Sequence, residues 1–272
     1  MSSAPTILTF DSGLGGLTVY REIVKAHPAA RHVYVADDAL FPYGRIPEDV
    51  LIPRIVEVIG RIAARCQPDI AVIACNTAST IALPALRTQF PMPFVGTVPA
   101  IKPACSASVS RQVSVLGTEA TVSREYTRAL IREFGQGCQV ALVGSARLAS
   151  LAEAELRGEP VADEAIATEI APCFLDAGGS RTDTVVLACT HYPLLLDRLQ
   201  TLAPWPVTWM DPAPAIARRV TDLLQGPSNG PSAGPATAIF TSDRPLPSAL
   251  ATALSRLGID RTGTFDSMTV SA

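Results

Sequence analysis

One plan occurs twice in this chain. An apolar run leads into Ala-Cys, then Thr or Asn, then the start of a helical pattern, in VIACNTAST (72–80) and again in VLACTHYPL (186–194). Each copy is preceded, at a similar distance, by another apolar run ending in a polar turn: FDSGLGG (10–16) and LGTEAT (116–121). A chain that repeats itself in this way is constrained to two related lobes, each presenting one cysteine from the end of a strand.

Short apolar runs lie at residues 7–10, 32–36, 70–74, 94–96, 112–116, 139–143, 184–188, 207–210 and 238–241. Most lack polar alternation, which suits parallel strands covered on both faces. Helical patterns separate them, at 16–26, 47–66, 79–89, 123–134, 149–156, 163–175, 193–203, 214–224 and 246–257. Strand-then-helix repetition predicts an α/β fold of two pseudo-symmetric, doubly wound lobes with mainly parallel sheets. Functional groups of such sheets gather at the carboxyl ends of strands, so an active site is expected between the lobes. The first lobe is predicted to take residues 1–97 and 210–272, with Asp11 and Cys75. The second takes 98–209, with Thr118 and Cys189. PAIKPA (99–104) reads as the crossing between them and GPSNGPSAGP (226–235) as a flexible surface loop. With 272 residues, 48% hydrophobic and 17% charged, the chain can bury two such cores.

Charge and scarcity exclude several functions. Lys plus Arg is 22 against 25 Asp plus Glu, a net charge of −3 that offers no basic field to nucleic acid. No run approaches the ~18 apolar residues of a membrane span. MSSAPTILTF also lacks a basic stretch ahead of a long apolar one, so a cytoplasmic protein is expected. The only lysines are Lys25, on a helical pattern, and Lys102, within PAIKPA. Neither suits a Schiff base to pyridoxal phosphate. The six cysteines are Cys66, Cys75, Cys105, Cys138, Cys173 and Cys189, without a C-x-x-C pair, and there are three histidines. That pattern supports neither a disulfide framework nor a zinc site, and no metal or other cofactor is expected.

A cysteine just past a strand, near the next helix's N-terminus, sits where thiolate is favoured. Buried packing is the ordinary role of a free cysteine, and it accounts for Cys66, Cys105, Cys138 and Cys173. Cys75 and Cys189 differ, because polar residues follow each where an apolar core would continue. Two thiols from opposing lobes suit a proton transfer in which one takes a proton from a stereocentre and the other returns one to the opposite face. Asp11 beside Cys75 and His191 beside Cys189 are the expected auxiliaries. Their plainer alternatives are a helix cap for Asp11 and a turn-stabilising imidazole for His191.

DSGLGGLTV (11–19), DALFPYG (38–44), ACNTAST (74–80), GTEAT (117–121) and ACTHYPLL (188–195) resemble, in order, the signature blocks of the glutamate racemases, cofactor-independent members of the aspartate/glutamate racemase superfamily. The GLGG run lacks the Gly-Lys-Ser/Thr of a phosphate loop. The resemblance implies that Cys75 and Cys189 are the catalytic acid/base pair, with Cys75 acting on D-glutamate and Cys189 on L-glutamate. It further implies that Asp11, Ser12, Tyr43, Gly44, Asn76, Thr77, Thr190 and His191 line the substrate pocket and that Thr118 and Thr121 hold a carboxylate. Capping is the alternative for each Thr. Glu153, in SARLASLAEAELRG (145–158), is the match for a family glutamate, with a surface helix charge as its alternative. A homodimer supplying D-glutamate to peptidoglycan synthesis is implied, as is independence from a UDP-linked muramoyl activator, since ten residues precede Asp11. Racemisation of aspartate or another acidic substrate, and an idle module that binds an anionic metabolite or a protein partner, remain open alternatives.

Overall fold

The computed structural model describes residues 4–230 and 233–265. Pro231 and Ser232 of the expected surface loop, and residues 1–3 and 266–272 of the predicted first lobe, lie outside the described residues. The chain runs β1 (Thr6–Asp11), α1 (Leu17–Ala26), β2 (Arg31–Ala36), α2 (Glu48–Cys66), β3 (Ile70–Ile73), α3 (Asn76–Gln89) and β4 (Phe94–Gly96). There follow α4 (Ile101–Ala107), β5 (Gln112–Thr118), α5 (Glu119–Ser123), α6 (Glu125–Phe134), β6 (Gln139–Ser145), α7 (Leu148–Leu156) and α8 (Asp163–Ile170). A two-stranded hairpin, β7 (Asp176–Ala177) with β8 (Ser180–Arg181), leads to β9 (Thr184–Ala188), α9 (Leu196–Leu202), β10 (Thr208–Met210) and α10 (Ala213–Leu223). The described chain closes with β11 (Ala236–Phe240), α11 (Ser248–Arg256) and β12 (Ile259–Thr264).

Two parallel sheets result. One has the order β12-β11-β2-β1-β3-β4 and the other β10-β9-β5-β6. All pairings within both are parallel. Their centres correspond: β1 lies between β2 and β3 as β5 lies between β6 and β9. Cys75 therefore follows β3 where Cys189 follows β9, and Asp11 ends β1 where Thr118 ends β5. The strands are apolar on both faces because helices cover both, and β1, β3 and β9 are buried at every residue.

All nine expected strands form, and the differences lie in the helices and edges. The helix expected at 163–175 stops at Ile170 and continues as a tight turn, Ala171–Cys173. Pro172 supplies no N–H to an α-helical ladder. The helix expected at 123–134 is two helices, because Arg124 is extended (φ −73°, ψ 142°). PAIKPA is no simple crossing: α4 begins inside it, with Pro103 in the first turn, where a missing N–H costs nothing. The edge strand β12 and the β7–β8 hairpin were not expected, since both are polar and largely exposed.

Candidate active site

Strand ends of the two sheets meet around a partly open cavity, about 310 Å³ when the solvent space at its mouth is included. Of the expected residues, Ser12, Tyr43, Gly44, Cys75, Asn76, Thr77, Thr118, Thr121, Cys189, Thr190 and His191 line it, together with Phe41, Pro42 and Ala149. Asp11 and Glu153 stand behind that lining. Neither Lys25 nor Lys102 reaches it; Lys102 lies over the Phe134 ring instead. Among the described residues no group of three or more His, Cys, Asp or Glu could hold a metal ion.

The first-lobe half is built on a helix terminus. Cys75 is the N-cap of α3, and its sulfur accepts the Ala78 N–H at 3.5 Å. The Ser12 hydroxyl lies 3.6 Å from the same sulfur. These contacts favour thiolate, as expected, but they do not decide the outcome. Burial and then the Asp11 charge push the thiol up to about 12. Asp11 is itself fully buried, and burial raises its carboxyl despite His191 and the Gly13 and Gly16 N–H groups. Its Oδ2 accepts the Gly13 N–H at 3.0 Å, a turn contact ahead of α1; Gly16 is the N-cap of that helix, which no side chain caps.

The second-lobe half is built on a charge relay. His191 Nδ1 lies 3.8 Å from Cys189 Sγ, and Nε2 lies 3.0 Å from Glu153 Oε1. Burial alone would lower the imidazole, yet its bonds to Cys189 and Glu153 carry it well above its ordinary value. Glu153 moves the opposite way: burial would raise it, but the His191 bond and charge, the Leu14 N–H and the Arg157 charge together lower it. The Gly15 N–H also approaches Nε2, at 3.2 Å, a geometry suited to a neutral ring. The shorter carboxylate contact favours the protonated ring, with Nε2–H donating to Glu153.

Glu153 is thus no surface charge: it is 5% exposed and its Oε1 also accepts the Leu14 N–H of the first lobe at 2.8 Å. The glycines of DSGLGG permit that approach. A Cβ on Gly13 would lie 2.0 Å from Glu153 Oε1, and one on Gly15 would lie 2.4 Å from His191 Nδ1. Small residues on α7, Ala149 and Ala152, are the sequence signal that this helix packs closely.

The remaining polar groups form the walls. Thr118 caps α5, its Oγ1 accepting the Thr121 N–H at 3.1 Å, and its hydroxyl meets that of Thr121 at 2.9 Å. Thr77 and Thr118 face each other across the lobes at 3.5 Å. Thr190 Oγ1 reaches Asp11 Oδ1 at 3.5 Å. Both amide atoms of Asn76 are buried without a partner among the described residues, so the cavity presents an unsatisfied donor and acceptor to whatever fills it.

This sequence matches the family described as Asp/Glu/Hydantoin racemase over residues 11–220. The chain belongs to that family. The glutamate racemase of Brucella ovis is 54% identical over 242 residues, 88% of this chain and 87% of its own. That of Brucella anthropi is 58% identical over 220 residues, 80% of this chain and 79% of its own. Among solved structures, Escherichia coli glutamate racemase in complex with L-glutamate and the activator UDP-MurNAc-Ala superposes with a TM-score of 0.88 at 40% identity, covering 96% of this chain and 98% of that one. The racemase family's two-lobed α/β fold is therefore also the fold of this chain.

Proposed function

We propose that this protein is a glutamate racemase that interconverts L- and D-glutamate by proton transfer between two cysteines. The observation that carries the reading is the placement of Cys75 and Cys189 at equivalent strand ends on the one cavity, each 6% exposed. In this reading one cysteine, as thiolate, takes the α-proton and the other, as thiol, delivers one to the opposite face. Cys75 works on D-glutamate and Cys189 on L-glutamate, with Asp11 and His191 as their respective auxiliaries and Glu153 behind His191. No lysine or arginine lines the cavity, so the two carboxylates would be held by neutral donors. These are the hydroxyls of Ser12, Thr77, Thr118, Thr121 and Thr190, the Asn76 amide, and N–H groups at the α3 and α5 termini. Donors on the α-carboxylate also stabilise the negative charge that builds there as the proton leaves.

The same reading makes D-glutamate for peptidoglycan the product in use, and needs no cofactor, metal or nucleic acid. Its lobes are residues 1–97 with 210–272 and 98–209; the six strands of the first sheet and three of the four in the second fall on those sides. A homodimer in the cytoplasm follows from the resemblance; no helix of the described residues is long and apolar enough to cross a membrane.

Circular dichroism of L-glutamate with purified protein and chelator, without added cofactor, tests the proposal. The signal is expected to decay to zero. A persistent signal, or decay with L-aspartate alone, would overturn it. Running the assay with and without UDP-MurNAc-Ala tests the expected independence from that activator.

A further inference from the structure

We propose that Asp37 is a positioning residue for this site, holding Tyr43 against the cavity from behind. Asp37 follows β2 directly and is fully buried, and its N–H donates to the Asp11 carbonyl at 2.9 Å. It does not line the cavity. Tyr43 does, and its hydroxyl donates to Asp37 Oδ2 at 2.6 Å. The other partners of the carboxylate come from distant parts of the first sheet's packing. Arg54 of α2 donates from Nη2 to Oδ1 at 2.7 Å and from Nε to both oxygens at 3.2 Å. Thr241, just past β11, donates from Oγ1 to Oδ1 at 2.6 Å.

Both carboxylate oxygens are thereby engaged, and Asp37 itself does not reach the cavity; it acts there through Tyr43. What it controls is the strap from 37 to 45. That strap carries Phe41, Pro42, Tyr43 and Gly44 across the cavity and ends on the second lobe, where Arg45 donates to the Ala146 carbonyl at 3.1 Å. Burial, and then the Asp37 charge, hold the Tyr43 phenol well above its ordinary value, so it stays a donor throughout the working pH range. A tyrosine fixed at its far end presents its ring and the following Gly44 backbone at a set place. Gly44 packs directly on Thr118, so displacement of the strap moves two walls of the cavity together. Misplacement of about 1 Å can cost on the order of 100-fold in rate.

The inference rests on the racemase reading, and wild-type protein inactive on glutamate would fail that reading before this one. With active wild type, kcat and KM are measured for Asp37→Asn, Tyr43→Phe, their double variant, and Ser114→Ala, with Tm for each. Asp37→Asn and Tyr43→Phe are expected to lower kcat/KM by about tenfold or more. The double variant should fall no further than Asp37→Asn alone, because both changes cut one link. Ser114→Ala, which strips, away from the strap and the cavity, a buried hydroxyl that donates to the Cys173 carbonyl at 2.7 Å, should lower Tm with kinetics within about twofold of wild type. If Asp37→Asn does not fold, the contrast between Tyr43→Phe and Ser114→Ala decides. Lower Tm with unchanged kinetics in Tyr43→Phe, equal kinetic losses in Tyr43→Phe and Ser114→Ala, or additive losses in the double variant, would each overturn the proposal.

Discussion

Cys75 and Cys189 are equally buried, at 6% exposure, and occupy equivalent places in their sheets, yet their surroundings are opposite in charge. Cys75 shares its side of the cavity with a buried carboxyl, Asp11, which opposes its ionisation. Cys189 faces an imidazole held protonated against Glu153. Fold symmetry has therefore supplied two thiols and not two equal acids. The free protein holds Cys75 as the thiol, the acid that the proposed chemistry needs when L-glutamate is converted. Steady-state rates conceal this asymmetry. Enantiomers have equal free energies, so kcat/KM must be the same in both directions at every pH. The difference has to be read from half-reactions and from the groups themselves.

The sharpest break of the comparison is to remove one thiol at a time. Cys75→Ser and Cys189→Ser should each lose racemisation by more than about 1,000-fold, since a serine hydroxyl is a far poorer base than a thiolate. With a substrate carrying a β-leaving group, elimination needs deprotonation alone. Cys75→Ser should then process only the L-form and Cys189→Ser only the D-form. Equal elimination from both enantiomers in both variants would require a single base.

Alkylation reads the thiols directly. At pH 7.5 Cys189 in the Cys75→Ser protein should react with iodoacetamide on the order of 100-fold faster than Cys75 in the Cys189→Ser protein. Because exposure is equal, access does not account for such a difference. Peptide mass spectrometry keeps the half-buried Cys138 from obscuring the result. The Cys75 rate should still be climbing at pH 10, as its position near 12 demands. A plateau below pH 9 would contradict the burial argument.

The smallest effect is on stability, and it has opposite signs on the two sides. The Asp11 carboxyl is raised above its ordinary 3.8, so it binds its proton more tightly folded than unfolded and weakens folding as pH rises from that value. Asp11→Asn should therefore raise Tm at pH 7 by a few degrees while impairing activity. Glu153 is lowered below its ordinary 4.5; it stabilises the fold above that pH and loses the contribution as pH falls through its folded value. Glu153→Gln should lower Tm by a similar amount at pH 7 and converge on wild type in acid. Thermal melts from pH 3 to 8 give both signs, and a shared sign would dissolve the contrast.

The strands and the cavity lining were legible in the sequence because each is local. VIACN and VLACT are short apolar runs ending in the groups that face the cavity. Glu153 was reached only through the family resemblance, since the partners that hold it in place are a Leu14 N–H 139 residues away and an imidazole 38 residues away. In LAEAEL it reads as one acid among helix formers. Asp37 escaped for the same reason, its Thr241 partner lying 204 residues along the chain. Helix α4 was hidden by prolines that are harmless only in a first turn. Strand β12 was hidden because its sequence, IDRTGT, is that of an edge, polar wherever no helix covers it.

A thiol carries one exchangeable proton. Under the proposed chemistry each conversion of L- to D-glutamate leaves the proton on Cys189 and the charge on Cys75, the mirror image of the starting state. Product release does not undo this; proton exchange with water does, and at 6% exposure each cysteine meets little of it. The protein would thus keep a memory of the enantiomer it last made, and until that memory fades it is ready only for the reverse trip. At high substrate concentration the slow step would pass from chemistry to this resetting. The burial that shelters the carbanion would then also set the pace at which the protein forgets.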